Sequence, residues 1–204
     1  ISLLDFGLSV YGYMNEKEDI FLKEHHYSRE EIEEGIHDLL IRFGRDGAMK
    51  TGWQQVYGKW YYLGKENDGA MKYYWQKIYG KYYWLGHGND GAMKTYWQKI
   101  YGKYYFLGSD GSMRTGWQNI YGKYYYLGGA SDGSMKTGWQ KIGNKKYYFG
   151  GANDGVMKTG WQKIDGKYYY FGGTADGAMK TGWTSVGRMH TKTSFNKMWD
   201  SYLI

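Results

Sequence analysis

Neither cysteine nor proline occurs in the 204 residues. Without cysteine there is no disulfide framework and no thiolate metal site, so packing alone must hold the fold, and the redox compartment stays open. No run of eighteen apolar residues is present, so no transmembrane helix is indicated. The start at Ile1 lacks a signal-peptide pattern, and the chain reads as a fragment of something longer, with export undetermined. A nucleophile motif is missing too. The acidic residues of the later part are mostly the Asp of Asp-Gly pairs, whose usual job is the turn itself, so the chain is not expected to be an enzyme and no cofactor is implied.

What fills the space is aromatic: 25 Tyr and 10 Trp beside 33 Gly, with 21% of all residues aromatic. Tyr and Trp have a wet end and an apolar end, which suits half-exposed positions and ligand contact better than a deep core. Charge is divided unevenly. Residues 1–44 hold 10 acidic and 4 basic side chains, net −6, whereas residues 45–204 hold 10 acidic and 23 basic, net +13. Such a field favours a polyanionic partner, although any single Lys is as well explained by a solvated face.

A phrase recurs seven times: Asp-Gly, a small residue, Met, a basic residue, two more, then Trp. The Trp positions are 53, 75, 97, 117, 139, 161 and 183, in steps of 22, 22, 20, 22, 22 and 22 residues. A period near twenty marks a stack of small supersecondary units, none able to bury its apolar face alone. Gly52 to Val56 reads as a first strand, Tyr57-Gly58 as a two-residue turn and Lys59 to Leu63 as a second strand; Gly143-Asn144 and Asp165-Gly166 take the same turn position. Alternation then places Trp53 opposite Tyr62, with Trp60 on that face, and Val56, Tyr61 and Leu63 on the other. Because an isolated hairpin is marginal in water, consecutive hairpins must pack on one another. Met49, Met71, Met93, Met113, Met135, Met157 and Met179 fall between hairpins, where a filler role is favoured over ligand contact.

Residues 1–44 form a separate segment, a linker or the end of a preceding domain. Ser28-Arg29-Glu30-Glu31 is a capping-box pattern, and Ile32, Ile36, Leu39, Leu40 and Phe43 follow at helical spacing up to Gly44, so a helix is expected from about Arg29 to Phe43. Its packing partner is sought among Leu3, Leu4, Phe6, Val10 and Tyr11, or in a preceding domain. His25, His26, Glu30 and Glu34 invite a metal reading, but the acidic run is more simply the favourable charge at a helix start, and no metal site is assigned.

A seam between stacked hairpins, walled by two or three rings and open at one end, suits a quaternary ammonium held by cation–π attraction. Several weak seams on one array would bind a polymer by avidity. Thr51-Gly52-Trp53, then Gly58-Lys59-Trp60-Tyr61-Tyr62-Leu63 and Asp68-Gly69-Ala70-Met71-Lys72, resembles the choline-binding, or cell-wall-binding, repeat of Gram-positive surface proteins and phage lysins. The resemblance covers roughly residues 45–187, with 188–204 as a divergent cap that includes Phe195, Met198, Trp199, Tyr202 and Leu203. It implies a mainly β fold, a left-handed β-solenoid of stacked hairpins behind a short helical segment, binding choline of teichoic or lipoteichoic acid at the cell surface or wall.

Carried over, the cages implied are Trp53, Trp60 and Tyr83; Trp75, Tyr82 and Tyr105; Trp97, Tyr104 and Tyr125; and Trp117, Tyr124 and Tyr147. The position eight after each Trp is taken to close the preceding cage. Lys146 puts a cation where the fifth unit should have its second ring, so that seam is expected to be closed to choline. Trp161 and Tyr168 are left half-made, because Gly187-Arg188-Met189-His190 is expected to break the next hairpin. Tyr in place of Trp at the second position of four units keeps a glycan-binding reading open, and a structural stalk or homo-oligomerisation element remains a third. Nucleic acid is disfavoured, since the ring pattern is more regular than a backbone-tracking groove needs.

Overall fold

Tyr57 and Gly58 adopt φ of 48° and 78°, the paired left-handed conformation that a two-residue hairpin turn demands. With the turn so set, the strands on either side pair in register, Trp53 opposite Tyr62 and Gln55 opposite Trp60. The structure, a computed structural model, describes residues 28–44, 48–65, 68–88, 90–186 and 189–193. Among them are one helix, α1 (Arg29–Arg42), and fourteen five-residue strands. They run β1 (Gly52–Val56), β2 (Lys59–Leu63), β3 (Tyr74–Ile78), β4 (Lys81–Leu85), β5 (Tyr96–Ile100), β6 (Lys103–Leu107) and β7 (Gly116–Ile120). Then follow β8 (Lys123–Leu127), β9 (Gly138–Ile142), β10 (Lys145–Phe149), β11 (Gly160–Ile164), β12 (Lys167–Phe171), β13 (Gly182–Val186) and β14 (Met189–Thr193). Each consecutive pair is its own two-stranded antiparallel sheet, giving a mainly β hairpin-repeat fold.

Two compact units emerge, one of Ile1–Tyr96 with Leu107–Met113, the other of Trp97–Phe106 with Arg114–Ile204. The core of each is a set of repeated apolar slots. In the first unit Tyr62, Ile78 and Leu85 pack with Trp53, Tyr83 and Met93; in the second, Tyr147, Phe149, Met157 and Ala178 pack with Tyr124, Tyr126 and Ile142. The last residue of each second strand is wholly buried in every described repeat up to Phe171, and its backbone bridges to the Met of the following link, as in Leu63 to Met71 and Phe149 to Met157.

The recurring Asp-Gly-x-Met-Lys phrase has a local explanation. Lys72, Lys94, Lys136, Lys158 and Lys180 each donate to the Asp four residues earlier, and so tie the link into a loop. The glycine after the Asp is required at Gly155, where φ is +57° and an added Cβ would lie 2.3 Å from the Met135 sulfur. The lysine hydrogen bond holds Asp68 and Asp176 below the usual carboxylate range, and at Asp132 the Lys136 and Ser134 hydrogen bonds overcome an opposing effect of burial. A carboxylate whose pKa is depressed by folding stabilises the fold above its unfolded value of about 4, and that contribution is lost as pH falls through the folded value. Thermal melting midpoints should therefore be level from neutral pH to about pH 5 and drop below about pH 4. Asp176→Asn should remove part of the drop.

The helix is docked on the first hairpin. Ser28 accepts from the Glu31 backbone while Glu31 reaches back to the Ser28 N–H, completing the capping box and holding the Glu31 carboxyl below its ordinary value. Ile41 is buried with Tyr61, Leu63 and Ala92. The His37 ring stacks on Tyr57 at 5.9 Å and meets Tyr61 edge-on at 5.7 Å, contacts that the apolar spacing alone did not anticipate. The partners expected for the helix, Leu3, Leu4, Phe6, Val10 and Tyr11, lie outside the described residues, as do His25, His26 and, of the expected cap, residues 194–204.

One expectation is corrected. The last repeat does form a hairpin, with Val186 opposite Met189 and Thr184 opposite Thr191. Two residues still separate the strands, and backbone pairing tolerates the changed side chains. What this repeat lacks is an aromatic residue at the position eight after Trp183, where the sequence has Thr191.

Candidate functional site

The seam between the β9–β10 and β11–β12 hairpins shows how a site is assembled. A cavity of about 360 Å³ is lined by Trp139, Gln140, Lys141, Lys146, Tyr169 and Met179. Trp139 stands on β9, 39% exposed, its ring 5.2 Å from Tyr148 of its own hairpin and 4.9 Å edge-on to Tyr169 of the next. Gln140 is pinned by its own amide, which donates to the Thr137 carbonyl at 2.8 Å. Met179 comes from the link beyond the second hairpin, and its backbone N–H donates to the Lys146 carbonyl at 2.7 Å. The wall is thus drawn from two hairpins and a link, over forty residues of chain.

The same elements recur elsewhere. Trp117 lies 5.3 Å from Tyr126 and 4.8 Å from Tyr147, and Met157 donates to the Tyr124 carbonyl at 2.8 Å. Trp97 lies 5.3 Å from Phe106 and 5.0 Å from Tyr125, with Met135 on the Tyr104 carbonyl. In the first unit Trp53 lies 5.1 Å from Tyr62 and 5.0 Å from Tyr83, with Met93 on the Trp60 carbonyl. Trp60 shares that face through its pairing with Gln55 and is 40% exposed. Of the second set, Trp75 packs 5.4 Å from Trp84 in the first unit, where Tyr82 also sits, and Tyr105 belongs to the second unit. Trp161 lies 5.2 Å from Tyr170, and Tyr168 is half exposed.

The structure thus brings the Trp of one hairpin onto the Tyr eight after the next Trp in the sets 53/83, 97/125 and 117/147. Burial, and secondarily the Asp154 charge, pushes the Tyr125 phenol up, and the same pair of causes acts on Tyr105 through Asp132; both rings stay neutral at ordinary pH. A neutral, electron-rich ring beside a half-buried indole, as Tyr125 is beside Trp97, is suited to a soft cation.

Two features were missed from the sequence. Met179 lines the cavity as well as filling a link, so this methionine forms part of the wall of its seam. The second concerns the residue two after each Trp, which stands opposite the residue seven after it. Lys77 lies over the Tyr82 ring at 5.5 Å, Lys99 over Tyr104 at 5.3 Å and Lys163 over Tyr168 at 5.4 Å. The register alone was enough to find them: Gln55 opposite Trp60 is the same relation.

Residues 136–183 match a family described as choline-binding repeat, and residues 51–71, 95–113 and 115–135 match one described as cell wall binding repeat. Residues 2–44 match a family of unknown function, DUF6483. Among solved structures the chain is similar to CbpJ from Streptococcus pneumoniae TIGR4, at 36% identity over 74% of this chain and 52% of that one, with a TM-score of 0.68. It is also similar to choline binding protein F from Streptococcus pneumoniae, at 40% identity over 74% of this chain and 51% of that one, TM-score 0.66. A structure of choline binding protein F in the presence of a peptidoglycan analogue, a tetrasaccharide-pentapeptide, gives 40% identity over 74% and 52%, TM-score 0.65. The chain spans about half the length of these structures. No curated protein matches it.

Proposed function

The repeats between residues 51 and 183 belong to the choline-binding repeat family, and on that premise we propose that the chain is a non-catalytic cell-wall-binding module at the cell surface or wall. Its seams hold the quaternary ammonium groups of a choline-bearing teichoic or lipoteichoic acid, and so anchor or target an attached domain. The observation that supports this is the recurring pair of rings, a Trp against the Tyr of the next hairpin, as in Trp117 and Tyr147 at 4.8 Å. The residues assigned to ligand are the sets around Trp53, Trp97 and Trp117, with Trp75, Tyr82, Tyr105, Trp161 and Tyr168 as further candidates. Each cation–π contact contributes about 0.5–2 kcal/mol. Single seams are therefore weak, and a polymer carrying many ligands is held by avidity. The net +13 of residues 45–204 suits an anionic polymer backbone.

Choline should change Trp fluorescence saturably and raise stability by about 2.7 kcal/mol for each site when present at a hundred times its dissociation constant. No response to choline, together with a response to dextran, would replace this reading by the glycan one. That second reading draws on the hairpin tips, where Tyr79 is 82% exposed and Tyr57, Tyr101 and Tyr121 are similarly open.

A further inference from the structure

The fifth seam departs from the others in a way that suggests a different ligand. Lys141 and Lys146 are directly opposite one another on β9 and β10. Like charges in that relation destabilise a hairpin unless something lies between them. In every other described hairpin up to β12 the corresponding pair includes an aromatic ring: Gln55 with Trp60, Lys77 with Tyr82, Lys99 with Tyr104, Asn119 with Tyr124 and Lys163 with Tyr168. Where the cation is single, it rests on that ring. Here the ring is replaced, and among the described residues neither Lys141 nor Lys146 has an acidic partner, whereas the neighbouring Lys145, on the opposite face of β10, is paired with Asp176 at 3.1 Å.

The remaining walls are intact. Trp139, Tyr169 and Met179 line the same 360 Å³ cavity as the two lysines, together with Gln140. An indole face accepts the apolar face of a sugar ring, and two ammonium groups at its edge accept an anion through charge-assisted hydrogen bonds. We infer that the seam of Trp139, Lys141, Lys146 and Tyr169 is an anion site that takes a phosphorylated sugar, the ring against Trp139 and the phosphate between the two lysines. One ring-to-lysine difference gives this seam a pair of cations where the other repeats set a ring, and so suits its edge to an anion. A polymer bearing both ammonium and phosphate groups would then be read at both.

The test is an NMR titration of the full chain, following the indole N–H resonance of Trp139, identified by its loss in Trp139→Phe. Glucose 6-phosphate should shift that resonance saturably, glucose and inorganic phosphate should each bind about tenfold more weakly, and choline should leave it unmoved. Lys146→Gln should weaken glucose 6-phosphate about tenfold while the other indole resonances keep their positions, reporting an intact fold. Lys146→Tyr, which restores the residue found in four other repeats, should lose the sugar phosphate and gain a choline response at Trp139. Movement of the wild-type Trp139 resonance by choline, no movement by glucose 6-phosphate, equal binding of inorganic phosphate or indifference to Lys146→Gln would each overturn the inference. Only the choline gain of Lys146→Tyr rests on the ammonium reading of the other seams, whose indoles report separately in the choline arm; the glucose 6-phosphate arms do not.

Discussion

Phe149→Ala should lower stability by about 3–5 kcal/mol, the cost of removing a large, wholly buried aromatic side chain from a site that cannot collapse around the loss. Phe149 has no exposed surface, packs with Tyr147, Met157 and Ala178, and lies 5.7 Å from the Trp117 ring. Its backbone also bridges to Met157, so the cavity would open where the strand is tied to the next link. Because a stacked array is stabilised by nearest neighbours, the loss should be concentrated near the change. Hydrogen exchange should show protection collapsing around residues 116–171 and persisting in the first unit. A loss under about 1 kcal/mol would mean that the aromatic ladder is not what carries the repeat.

Trp117→Ala should remove one ligand equivalent from choline titrations and cost about 2 kcal/mol of stability, less than a buried Trp because this ring is 39% exposed. Its contacts run to Tyr126 in its own hairpin and to Tyr147 and Phe149 in the next, so the indole is at once a seam wall and a packing element. Calorimetry on both proteins separates the two roles. Trp117→Phe should restore most of the stability, since ring contact is kept, but recover the ligand equivalent only weakly, because Phe presents a poorer face to a cation than Trp. Full recovery of ligand binding in the Phe variant would shift the site away from the indole.

The register was legible because it depends on little: a two-residue Tyr-Gly turn and strict alternation put Trp53 opposite Tyr62, and the structure has that pair. The capping box at Ser28 and Glu31 was equally readable, being a matter of four consecutive residues. Contacts that span forty residues were not, since periodicity says that repeats stack without saying which link meets which strand. Hence the spacing alone shows the methionines as filler, while the structure also sets Met179 against a cavity with Trp139. The last hairpin hides for the opposite reason: Met189 and His190 break the side-chain pattern, but the preserved two-residue spacing is enough to pair β13 with β14. His37 escaped notice because its partners, Tyr57 and Tyr61, lie in a different element.

The hydrogen bonds from Met157 to the Tyr124 carbonyl and from Met179 to the Lys146 carbonyl mean that a hairpin is completed by chain emerging after its neighbour. The number of finished seams therefore lags behind the number of hairpins. Shortening the array by one repeat from its far end strips the outer wall from a seam that still has both of its hairpins. A repeat added between two others would meet chain on both sides and complete its contacts, as the Met157 and Met179 bonds complete theirs.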